Sequence, residues 1–143
     1  MSLKFKHIEH NSDLYRDTVA LRHRILREPL GLKFDPAELA AESDVFHLAC
    51  YDSGVLVGCL ILEPQSHVMK MRQVAVSERS RGLGVGRLLV EFSEQFAREQ
   101  GYTKMVLNAR ETAVGFYSKL DYLVQGEPFE EVTIQHRAMF KKL

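Results

Sequence analysis

Apolar and polar residues alternate from Leu3 to Ile8, the period of a half-buried strand. Asn11, Ser12 and Asp13 follow as N-cap candidates for a helix. In that helix Leu14, Thr18, Leu21 and Ile25 recur at helical spacing, and Tyr15, Val19 and Leu26 widen the stripe. Pro29 and Gly31 stop it, and residues 31–43 read as a loop with one helical turn after Pro36. Arg22, Arg24 and Arg27 read as a solvated face of the helix, from which one could meet an acidic substrate. Two apolar runs, Val45–Tyr51 and Val55–Leu62, are split by Asp52-Ser53-Gly54, a hairpin signal. Glu63-Pro64-Gln65-Ser66 predicts the next turn and Val68–Val76 a third strand, so residues 45–76 form an antiparallel meander.

The period then changes. Val85, Leu88, Leu89, Phe92, Phe96 and Ala97 share one helical face, Arg87, Glu91, Glu94, Arg98 and Glu99 occupy the other, and Gly101 ends the helix. Lys104–Asn108 predicts a strand, Thr112–Leu120 a helix, and Tyr122–Val124 and Val132–Phe140 two final strands. The order β α βββ α β α ββ is that of an α+β domain with a mostly antiparallel central sheet flanked by helices.

Composition narrows the class. The chain has 143 residues, 45% hydrophobic and 27% charged, which predicts one domain over residues 1–143 with its own core. Nineteen Lys/Arg balance nineteen Asp/Glu, so no broad basic field exists for a nucleic-acid partner. Cys50 and Cys59 lie inside apolar runs, and no CxxC or Cys/His spacing points to a metal. The start, MSLKFKHIEH, has no signal-type stretch, and the run Val55–Leu62 is far short of the ~20 residues that span a membrane. These features predict a soluble, cytoplasmic protein without a membrane partner.

The chemistry concentrates between Arg72 and Leu89. A strand ends near Val76, a polar loop carries Arg79 and Arg81, and Gly82, Gly84 and Gly86 lead into the helix. Unpaired N–H groups at a helix start bind anions, and glycines let the backbone approach phosphate oxygens. Arg81 and Arg87 can add charge-assisted bonds. The stretch reads as a pyrophosphate cradle. It is not a Walker loop, because Gly86 is followed by Arg87 and Leu88 where Lys-Ser/Thr is needed. It is not a dinucleotide fingerprint either, since Arg87 stands at the third glycine position.

Arg81-Gly82-Leu83-Gly84-Val85-Gly86 matches the acyl-CoA signature Arg/Gln-x-x-Gly-x-Gly/Ala, and the sequence resembles the GNAT family of N-acetyltransferases. Ala113-Val114-Gly115-Phe116-Tyr117-Ser118-Lys119-Leu120-Asp121-Tyr122 is similar to the second family hallmark, with Asp121 where Gly is usual. Leu21-Arg22-x-x-Ile25-Leu26-Arg27, Lys70 to Val76, Leu107-Asn108-Ala109-Arg110 and the tail Phe129 to Met139 look like the small bacterial ElaA-type subgroup, with Arg110 where Gln or Asn is usual.

The resemblance implies a GNAT fold and direct transfer of an acetyl group from acetyl-CoA to an amine through a tetrahedral intermediate. Residues Arg81, Gly82, Leu83, Gly84, Val85, Gly86 and Arg87 would hold the pyrophosphate. Val74, Ala75 and Val76 would run beside the pantetheine, with the Val74 N–H polarising the thioester carbonyl. Asn108, Phe116 and Tyr117 would complete the cofactor site, and Tyr117 would protonate the leaving thiolate. Glu131 and His136, with His47 as a third, are candidate bases for the amine. Acetyl-CoA is the implied cosubstrate, a small-molecule or protein amine the acceptor, and the terminal strands could pair two copies into a homodimer. The alternative function is a non-catalytic acyl-CoA sensor on the same fold. Met69, Met71 and Met139 read as core residues.

Overall fold

The computed structural model describes all 143 residues. Its elements are β1 (Leu3–Ile8), α1 (Asp13–Arg22), α2 (Pro36–Ala40), β2 (Phe46–Asp52), β3 (Val55–Gln65), β4 (Val68–Val76), α3 (Val85–Glu99), β5 (Lys104–Arg110), α4 (Val114–Ser118), β6 (Leu123–Glu131) and β7 (Ile134–Lys142). The seven strands form one sheet in the order β1-β2-β3-β4-β5-β7-β6. Every neighbouring pair is antiparallel except β4 and β5. This is the α+β architecture that the hydrophobic pattern predicts.

Alternation along the strands separates two cores. On one face Leu48, Leu60, Leu62, Met69, Met71, Met105 and Met139 pack under Leu89, Val90 and Ala97 of α3. On the other, Ala49 and Tyr51 meet Tyr15 of α1, while Cys59 and Ala75 meet Leu21. Met69, Met71, Met105 and Met139 are core residues, each at most 2% exposed. No helix is long and apolar enough to cross a membrane.

Ser12 caps α1 by accepting from the Tyr15 N–H at 3.2 Å. Gly101, at φ +91°, follows α3 in the left-handed conformation that glycine takes at low cost.

Several elements differ from the sequence pattern. The first helix does not run regularly to Leu26. It gives way to a π-helical turn, His23–Arg27, and a 3-10 turn, Glu28–Leu30. β3 continues through Pro64 to Gln65, and the turn falls on Ser66 and His67. β2 begins at Phe46 opposite Leu62, so residues beyond Leu62 have β4 alone beside them. Proline is tolerated at such an edge. β6 is longer than Tyr122–Val124, and Val132 belongs to a turn rather than to the last strand. Val132 and Thr133 take φ of +51° and +64°, a two-residue hairpin turn written without the usual Asn or Gly.

The reading of three arginines as a solvated face holds for Arg24 alone. Arg22 is 1% exposed. Its Nη1 and Nη2 donate to Glu42 Oε1 and Oε2 at 2.8 and 2.7 Å, and the Tyr15 hydroxyl donates to Oε1 at 2.8 Å. Burial pushes the Glu42 carboxyl up, but the bonds from Arg22 and Tyr15 outweigh it and hold the group below its ordinary value. This pair ties α1 to the segment preceding β2. Arg22→Met would leave a half-satisfied buried carboxylate, and we expect a loss of ~3–5 kcal/mol in urea unfolding at neutral pH. Because the folded-state pKa is depressed, the contribution is present above the unfolded value and is lost as pH falls through the folded one. The deficit should therefore narrow below about pH 4.

Candidate active site

The site originates in a fault of the sheet. β4 and β5 pair only through Met69–Met71 and Met105–Leu107. Beyond that the two strands part. β4 is bent by a bulge, with Gln73 and Val74 standing opposite Leu60 of β3. Gln73 takes φ +56°, a left-handed conformation unusual for a side chain other than Gly, Asn or Asp. β5 meanwhile stays paired with β7 along its whole length. One strand leaves with β3 and the other with β7, and a cavity of about 160 Å³ opens between them.

Val74 on β4 and Asn108 on β5 both line this cavity, with Tyr117 from α4 and Glu131 and His136 from the last hairpin completing it. Ser77 N–H bonds back to Val57 of β3 at 2.8 Å. Alternation along the strand therefore turns the main-chain groups of Val76 and Val74 toward the open side. Ala75 instead buries its side chain against Leu21 and Cys59 on the α1 face.

The glycine loop adjoins the cavity. Gly82 and Gly84 take φ of +78° and +82°. The N–H groups of Gly82, Gly84, Val85, Gly86 and Arg87 make no hydrogen bond within the chain, and the first bond into α3 is Leu88 N–H to the Gly84 carbonyl at 3.0 Å. A methyl group at Gly86 would stand 3.3 Å from Phe116 Cζ and 3.7 Å from Val76 Cγ2, so only glycine lets α3 start this close to α4 and β4. Leu83 and Phe116 are exposed beside the loop. The Arg87 guanidinium lies over the Gly84 turn and pairs with Glu91 at 3.2 Å, an exposed contact of small energetic weight. Arg81 is exposed in the loop itself.

Tyr117 is buried, and burial holds its hydroxyl well above the usual tyrosine pKa. It stays a neutral proton donor. Its ring packs edge-on against Phe116 and Tyr122 at centroid distances of 5.0 and 5.7 Å. His136 places Nδ1 2.9 Å from the Ile134 carbonyl. A carbonyl only accepts, so Nδ1 carries a proton, and in the neutral tautomer the lone pair falls on Nε2. Glu131 accepts from Asn108 Nδ2 at 3.1 Å.

His47, the third candidate base, lies outside the cavity. It is buried on β2, and its Nε2 contacts the Glu42 carbonyl at 2.9 Å. Three strands of the sheet order separate β2 from β7, so a strand histidine there cannot reach the opening. Gln73 shapes the bulge, and Arg27 lines the cavity instead of joining a solvated helix face. No local signal marks Gln73. For Arg27 the nearby Phe34 was a signal, since its ring lies 4.6 Å from the guanidinium carbon.

A strand fork, a free N–H cradle and a buried phenol together define an acyl-CoA transferase fold, and comparison with known proteins agrees. Residues 33–143 match the family model described as the acetyltransferase (GNAT) domain. The chain is 33% identical over 140 residues to the uncharacterized N-acetyltransferase YitI of Bacillus subtilis, covering 89% of this chain and 91% of that protein. Its fold is similar to that of Escherichia coli ElaA, with TM-score 0.80 and 21% identity over 97% of this chain and 99% of that one. It is also similar to a GNAT family acetyltransferase from Elizabethkingia anophelis with acetyl-CoA bound, at TM-score 0.76 and 16% identity over 99% of both chains. The chain belongs to the GNAT acetyltransferase family, and it is an acetyl-CoA-dependent acetyltransferase.

The bulge residue offers a direct check on this geometry. Gln73→Val places a β-branched residue at φ +56° and should lower stability by about 1–2 kcal/mol. Gln73→Gly should not, as read from denaturant midpoints of the two variants.

Proposed function

We propose that the cavity at the β4–β5 fork carries out direct acetyl transfer from acetyl-CoA to an amine, with the free N–H cradle beside it as the observation that carries this reading. The unbonded N–H groups of Gly82, Gly84, Val85, Gly86 and Arg87 hold the pyrophosphate, assisted by the Arg81 side chain and by that of Arg87 once it swings from Glu91. Leu83 and Phe116 shield the cofactor from the solvent side. The main-chain groups of Val74 and Val76 take up the pantetheine as an added strand, with Ala75 between them keeping β4 packed and Asn108 in the same cavity wall as Val74. Acetyl-CoA supplies the activated acyl group.

The Val74 N–H stabilises charge developing on the thioester oxygen; losing such a donor costs ~3 kcal/mol of barrier. His136 Nε2 takes the proton that the amine nitrogen loses as it bonds to the carbonyl carbon. Glu131, tethered by Asn108, orients the approach. As the carbon–sulfur bond breaks, Tyr117 gives its proton to the departing sulfur. Both proton carriers sit in the wall of one cavity, so neither has to move. Two unpaired, buried thiols suit a cytoplasmic setting: burial pushes Cys50 up to about 11 and Cys59 up to about 12.

Calorimetry with acetyl-CoA and thiol release over a panel of amines test this assignment. Tyr117→Phe should lower kcat about a hundredfold while shifting acetyl-CoA affinity by less than about twofold. Unchanged kcat would remove its role as the acid. Gly84→Glu sets a carboxylate at a left-handed position over the cradle, and we expect acetyl-CoA binding to be lost with the fold kept. Binding without turnover of any amine would favour an acyl-CoA sensor.

A further inference from the structure

Two guanidinium groups converge in the cavity wall without a carboxylate to neutralise them. Arg27 Nη1 and Arg110 Nη2 both donate to the Leu26 carbonyl oxygen, at 3.3 and 3.0 Å. Sharing one oxygen holds the two like charges within two hydrogen-bond lengths of each other. Neither makes an ion pair; the acid in the same wall, Glu131, is bonded to Asn108. Glu38 and Glu131 act on Arg27 only through space. Burial, then repulsion from Arg110 and Arg22, pulls the Arg27 pKa down, and burial does the same to Arg110.

As caps of the carbonyl that ends the first helix, these arginines need one N–H each. A guanidinium has five, in a fork that matches a carboxylate. The remaining donors belong to side chains that line the cavity. Arg110 is also the cross-strand partner of His136, so a group held there lies beside the imidazole.

We propose that Arg27 and Arg110 form a seat for a carboxylate on the acceptor, so that this chain acetylates amines carrying an acid group a few bonds from the nitrogen. The proposal rests on the acetyl-transfer reading above. Seating the acid between the arginines cancels their mutual repulsion and points the amine at His136 Nε2. The departure from Gln or Asn at position 110 then becomes the determinant of acceptor class.

The test uses the whole chain saturated with CoA, titrated by calorimetry with the N-acetyl derivatives of glycine, β-alanine and γ-aminobutyrate, each beside its uncharged amide. At least one acid should bind about tenfold or more tightly than its amide. Arg110→Gln should bring that ratio within about twofold while CoA affinity holds. Arg110→Lys, which keeps a charge but not the fork, should fall between; if Arg110→Gln does not fold, Arg27→Gln carries the same comparison. Equal binding of acids and amides by protein that binds CoA overturns the proposal and leaves acetyl transfer standing, as does a preference that survives both glutamine variants. Faster turnover of succinyl-CoA than acetyl-CoA, reversed by Arg110→Gln, would put the carboxylate on the donor and likewise overturn it. Failure to bind any CoA species removes the acetyl-transfer reading and this proposal with it.

Discussion

The short parallel contact between β4 and β5 is the constraint on which the rest of the molecule depends. Three residues of each strand pair, and then the ladder stops inside a sheet that continues on both sides. A sheet interior does not ordinarily leave main-chain donors and acceptors idle. Here the interruption persists because each strand has a stronger obligation elsewhere. β4 follows β3 through the Gln73 bulge, and β5 follows β7 from Lys104 to Arg110. On the proposed reading, the unmet hydrogen-bonding capacity of the fork would take up an extended amide-bearing ligand, and the helix start beside it that ligand's phosphates.

Charge is distributed on the same principle. The net charge is zero, yet the acids and bases are spent differently. Glu42 is consumed by Arg22, and Glu94 by the Tyr122 hydroxyl and Lys141. Glu42 fastens α1 to the segment preceding β2, and the buried Glu94 fastens α3 to β7. Arg27, Arg81 and Arg110 have no such partner, and all of them lie near the glycine loop or the fork. A balanced composition therefore coexists with locally cationic walls. Anions reaching the cleft meet donors that folding has not already satisfied.

Much of this was legible in the sequence because it is local. Alternation marks the meander, the helical stripe marks α3, and the glycines before it mark a cradle whose dihedrals the backbone then adopts at Gly82 and Gly84. Tyr117 and the tail residues Glu131 and His136 do reach one cavity. What escaped depends on partners distant in sequence. Arg22 looks solvated until Glu42, twenty residues on, is folded over it. His47 and His136 are equivalent as strand histidines, and only the sheet order puts one at the fork and the other behind α1. The bulge at Gln73 and the Val132-Thr133 turn use residues that rarely take a left-handed conformation, so propensity argues against the very positions that bend the chain.

The π-helical turn His23–Arg27 links these two levels. A helix end exposes carbonyls that need donors. At Leu26 two side chains donate: Arg27 from the helix itself and Arg110 from β5, 84 residues away. The bond that finishes the first helix thus also spans the fork and fixes the direction of two cations in its wall. A neutral side chain at position 110 could also donate to Leu26. It would bring neither the charge nor the spare donors of a guanidinium, so the capping requirement alone does not explain an arginine there.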